Sequence, residues 1–140
     1  MPETHAKLLY HVIFCTKDRA PLILPEIQND GLLWPGIATE EIESGVFAAD
    51  TVTLKVEKVT GSGRVAVFTE DAVGTPTVLV DSGDGLPDAL PLATGTHLHA
   101  SWAFQKAGVY FIKVRATAKL AATGQSVTSE PAVYTFVVQP

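Results

Sequence analysis

Gly95-Thr-His-Leu-His-Ala-Ser-Trp-Ala-Phe104, continued by Gln-Lys-Ala-Gly-Val-Tyr110, is the stretch on which the fold turns. Side chains along a strand alternate between two faces, so a period-two reading separates two sets. Leu98, Ala100, Trp102 and Phe104 point one way and bring two large aromatic rings to a core. Trp102 is therefore expected to lie mostly buried between two sheets, near Leu54, Val56, Val67, Phe104, Ile112 or Val114. His97, His99, Ser101 and Ala103 point the other way. The strand rise sets the two imidazoles on one side, roughly 7 Å apart at Cα.

Working outward, the flanking text also reads as strands. Val52, Leu54 and Val56 share one face and Thr53, Lys55 and Glu57 the other, one face for a core and one for water. Gly61-Ser-Gly63 makes a turn, and Arg64–Thr69 is the second strand of a hairpin. Asp71–Pro76 turns again before a short strand at Thr77–Val80, and Asp81–Asp88 is a Gly-rich loop. Lys106-Ala-Gly108 is a tight connection into the long strand Val109–Leu120, whose Tyr110, Ile112, Val114 and Ala116 face one way. Ala121–Gln125 turns, and Val133–Val138 closes the chain.

The text before residue 50 is different. Leu8–Phe14 is a short apolar run, and Pro21, Pro25 and Pro35 make residues 21–36 a poor helix or central strand. Thr39, followed by Glu40, Glu41 and Ile42, has the form of an N-cap with acidic first-turn residues. A single helical turn is expected through Glu43, ended by Gly45. Regularly spaced strands, Gly/Pro turns and scarcely any helix predict an all-β protein. The expected architecture is an immunoglobulin-like antiparallel β-sandwich with a short N-terminal appendage.

Composition narrows the function classes. A hydrophobic fraction of 46% against 18% charge supplies a real core, and 140 residues suit one domain. A formal charge of −5 without a dense basic run disfavours nucleic-acid binding. No apolar run approaches the roughly 20 residues that cross a bilayer as a helix, so membrane insertion is not expected. The single cysteine, Cys15, has no internal disulfide partner and no basic setting that would make it a nucleophile. No secretory leader, sorting motif or C-terminal anchor is legible, so any delivery to a surface is expected to be encoded elsewhere.

Two groups carry candidate chemistry. His97 and His99 offer imidazole nitrogens to zinc or copper, and a third donor from a neighbouring strand or from the 81–88 loop would complete a site. Asp81, Asp84 and Asp88, with glycines between them, offer hard oxygen ligands to a cation such as calcium, although the EF-hand spacing and its terminal Glu are missing. Asp and Gly also favour such a loop as an ordinary solvated turn. No phosphate-binding loop, dinucleotide fingerprint or nucleophile elbow is present, and no spacing of the aspartates and histidines supports a hydrolase.

Several separated blocks resemble one family in its own order. They are Leu33-Trp-Pro-Gly-Ile-Ala-Thr-Glu-Glu-Ile42, Gly45-Val-Phe-Ala-Ala-Asp50, Gly61-Ser-Gly-Arg-Val-Ala-Val67, Val80-Asp-Ser-Gly-Asp-Gly-Leu-Pro87 and the His-x-His stretch with its following Trp. Together they resemble the choice-of-anchor M domain of bacterial surface-anchored proteins, over about residues 30–138. The resemblance implies a non-catalytic display or binding module at the cell surface, with cell-envelope or transporter components as partners. It is similar to proteins found beside metal-type ABC transporters, which implies metal or ligand capture near an importer.

Residues 4–28, with Leu8-Leu-Tyr-His-Val-Ile-Phe-Cys-Thr-Lys-Asp-Arg-Ala-Pro-Leu-Ile23, resemble instead the N-terminal start of a single-tyrosine insertion-sequence transposase. The chain then divides into a transposase-like fragment at 1–29 and a surface-protein sandwich at 30–140. That family needs a nucleophilic Tyr on a later helix, whereas Tyr110 and Tyr134 sit in strand-like text, so no transposase activity is expected. The alternative reading is a junction product: the inactive remnant of a DNA-acting protein fused to a truncated surface gene. An insertion-sequence end directly upstream of the gene would mark it.

Overall fold

A computed structural model describes residues 35–140 in full and residues 6–8 and 23–24 by their backbone pairing. Strands dominate. β1 (Ala6–Leu8), β2 (Ile23–Leu24) and β3 (Gly36–Ala38) precede a single 3-10 turn at Ala48–Asp50. β4 (Thr51–Thr60), β5 (Val65–Glu70), β6 (Pro76–Asp81) and β7 (Asp88–Ala93) follow, then β8 (His97–His99) and β9 (Ser101–Phe104). β10 (Gly108–Lys119), β11 (Ser126–Thr128) and β12 (Ala132–Val138) complete the chain.

The strands form an antiparallel β-sandwich. One layer is a six-stranded sheet in the order β1-β12-β10-β4-β7, with β11 beside the far end of β10. The opposing layer consists of β2-β3-β8 and β6-β5-β9, joined because β9 continues β8 after the single residue Ala100. Every pairing among the described strands is antiparallel. The core between the layers takes Val52, Leu54 and Val56 from β4, Val65 and Val67 from β5, and Tyr110, Ile112 and Val114 from β10. Tyr134, Phe136 and Val138 of β12 join them. The alternation read along β4 and β10 is thus the alternation between core and solvent. A bulge opposite Lys113/Val114 puts Glu57 and Lys58 in succession on the outside before the pattern resumes.

The passage from β9 to β10 crosses between layers and is pinned by Tyr110. This side chain is fully buried, and its hydroxyl donates to the Lys106 carbonyl at 2.7 Å. Such a tyrosine, bonded back to the turn it leaves, recurs at the corners of immunoglobulin-type sandwiches. Gly61 lies flat against the Tyr110 ring, where a Cβ would collide with the ring carbons, so the β4–β5 turn closes only with glycine there.

Trp102 lies between the layers as expected, mostly buried, paired with Val67 and stacked on Phe136 at 5.2 Å, with its indole N–H donating to the Pro35 carbonyl at 3.3 Å. Two expectations need correction. The His/Trp stretch is two strands: it changes partner from β3 to β5 at the buried Ala100. Thr39 does not cap a helix; it turns inward, 2% exposed, and its hydroxyl donates to the Ala93 carbonyl at 2.6 Å. Residues 88–93, for which the sequence reading offers no strand, form β7, an edge strand paired with β4. Pro91 is tolerated because an edge strand has one side with no ladder to break.

At the N-terminus, Ala6–Leu8 pairs with β12 and Ile23–Leu24 pairs with β3. Strand pairing therefore crosses the boundary expected at residue 29. Most of the apolar run 8–14, Cys15, and the Leu33-Trp34 part of the family-like opening lie outside the described residues.

Candidate functional site

His97 and His99 both stand on the outer face of β8, opposite Leu98, which packs on the core. Their placement starts one strand away. Gly36, Ile37 and Ala38 of β3 pair with His99, Leu98 and His97, and Thr39 then locks the end of that ladder. Its amide donates to the Thr96 carbonyl at 2.7 Å, and its carbonyl accepts from the Gly95 amide at 2.9 Å. The Thr96 amide in turn donates to the Thr39 hydroxyl at 3.1 Å. With Thr39 held inward, the next residue, Glu40, emerges on the outside beside β8. Its Oε2 lies 3.0 Å from His97 Nδ1.

The two imidazoles stack, with centroids 4.8 Å apart and 28° between planes. A metal ion binds along a nitrogen lone pair, in the plane of the ring. Two nearly parallel rings direct those lone pairs side by side, so the pair does not converge on one point as it stands. Among the described residues no group of three or more His, Cys, Asp or Glu side chains is placed to hold a metal ion. What the arrangement offers is an exposed patch of two imidazoles and one carboxylate. The Glu40 carboxylate is the more open end of the patch, and the His97 side chain keeps a quarter of its surface exposed.

The aspartates of the 81–88 loop are used differently. Asp81 accepts from the Gly83 amide at 2.8 Å and from Arg64 Nη2 at 3.1 Å through both oxygens. The Gly83 bond, and then Arg64, hold the Asp81 carboxyl below its ordinary value. Asp88 Oδ2 accepts from the Asp81 amide at 2.8 Å and stitches the two ends of the loop together. Asp84 sits exposed at the tip. Two of the three carboxylates thus organise the turn, and the loop is not brought into a group with the histidines.

Glu40 is the donor that sequence reasoning assigned to another role, as a helix first-turn acid. The signal that would have found it is the run of three paired positions between β3 and β8, and that register follows from tertiary packing. No protein-family model, curated protein or solved structure matches this chain, so the family resemblance rests on the quoted sequence blocks themselves.

Proposed function

We propose that this chain is a non-catalytic display and binding module of a bacterial surface-anchored protein, and that its binding face is the patch of His97, His99 and Glu40. One observation carries the reading. Both histidines stand on the outward face of β8, stacked on each other, with the Glu40 carboxylate 3.0 Å from His97 Nδ1. Imidazole and carboxylate suit a borderline divalent cation such as zinc. An exposed patch whose rings must first unstack binds it weakly and reversibly, as capture and hand-over to an importer or another envelope component requires.

Calorimetric titration with zinc near neutral pH tests this. One-to-one binding is expected, weakened by Glu40→Gln and abolished by His97→Ala/His99→Ala. Binding should weaken on acidification, because a protonated imidazole has no lone pair to give a cation. A flat titration at high protein concentration, or zinc binding indifferent to the double substitution, rules the patch out.

A further inference from the structure

The other layer carries a second feature that no sequence block points to. On the outer face of the six-stranded sheet, Thr53 of β4, Thr117 of β10 and Thr128 of β11 stand directly opposite one another across three adjacent strands. Two interstrand spacings make this row about 10 Å long. Lysines flank it. Lys55 is two residues along β4 on one side, and Lys119, paired with Ser126, is two residues along β10 on the other. These six side chains line one open cleft of about 480 Å³.

A threonine row on an exposed sheet is ordinary, because β-branched residues suit strands. Three further facts distinguish this one. The row lies in a concavity whose volume falls in the range of small-molecule sites. The lining holds two cations and no acid, although the whole chain is formally −5. The neighbouring carboxylate on the same face, Glu57, is already matched by Arg115 Nε at 2.9 Å and Lys113 Nζ at 3.4 Å, which leaves Lys55 and Lys119 to act on a ligand.

The lining sets the ligand class. Hydroxyls both donate and accept, as the hydroxyls of a sugar do. The cleft has no aromatic ring for stacking, so hydrogen bonds and charge must hold the ligand. We propose that this cleft binds a sugar bearing one anionic group, with Thr53, Thr117, Thr128 and Ser126 meeting its hydroxyls and Lys55 and Lys119 its charge. It lies on the layer opposite the histidines and is independent of the function proposed for them.

Amide chemical-shift titrations with glucose 6-phosphate and with glucuronate distinguish a phosphorylated from a carboxylated sugar, with glucose and inorganic phosphate as controls. At least one anionic sugar should give saturable shifts confined to β4, β10 and β11. Lys55→Gln/Lys119→Gln should weaken that binding about tenfold or more, as expected for lost charge-assisted hydrogen bonds. Thr53→Val/Thr117→Val keeps shape, charge and strand preference and should weaken it too. Equal shifts with inorganic phosphate and no loss in the threonine variant would mean a bare anion site and overturn the proposal. So would shifts elsewhere on the sandwich or none at all, in variants whose spectra remain folded.

Discussion

Three aspartates in turns carry carboxyls held below their ordinary value. Asp81 is held below its ordinary carboxyl pKa by the Gly83 amide first and by Arg64 second. Asp50 is lowered by the Gly45 amide and the Ser44 hydroxyl, and Asp71 by the amides of Thr75 and Val73. A carboxyl whose folded pKa lies below its unfolded value stabilises the fold above the unfolded pKa. That contribution disappears as pH falls through the folded one. For all three the window therefore opens below the ordinary value of 3.8 and extends downward. In urea unfolding followed against pH, Asp81→Asn should be less stable than the parent at neutral pH. The gap should close as pH drops below that value. A gap that is constant with pH would show that asparagine disturbs the turn for reasons unrelated to charge.

The β8–β9 segment shows how much one element can be asked to do. Its upstream half pairs with β3 and displays the histidines, and its downstream half pairs with β5 and brings Trp102 and Phe104 to the core. Ala100, 1% exposed, sits at the change of partner, where a larger side chain has no room. Trp102 packs its ring on Phe136 at the rim and keeps a minor part of its surface exposed, so it buries less than a central core aromatic. Trp102→Ala should cost about 3 kcal/mol, the lower end of the range for aromatic-to-alanine changes, read from the midpoint of denaturant unfolding. A loss below ~1 kcal/mol would mean that the Phe136 stack contributes little beyond covering the rim.

Over the whole molecule, the sandwich depends on how its edges are covered. β12 would be the edge of the larger sheet, and β3 an edge of the smaller layer, without the short strands β1 and β2. An uncovered edge offers unpaired amides and carbonyls to another chain. β7 carries Pro91 at its own edge and protects itself. Removing residues 1–28 should leave residues 35–140 folded, because their core is formed among their own strands. Tm should fall by about 5 °C or more, and association should rise with protein concentration. An unchanged Tm in a truncated protein that stays monomeric would show that the two short strands protect nothing. Loss of all folding would show that they belong to the core.

Alternation of apolar and polar residues determined the strands, their inward faces and the all-β class, because a pleated backbone converts period two directly into burial. Turn chemistry at Gly61-Ser-Gly63, Asp71–Pro76 and Lys106-Ala-Gly108 located the connections for the same local reason. What tertiary structure decided was partnership. That Thr39 reaches Ala93 and Thr96, that Glu40 meets His97, and that β7 exists despite Pro91 all depend on contacts between segments about 40 to 60 residues apart. The row of Thr53, Thr117 and Thr128 likewise exists only as register across three strands, where each residue alone reads as an ordinary exposed threonine. Local sequence fixes which way a side chain points; which side chain it then faces is settled by the packing of the two layers.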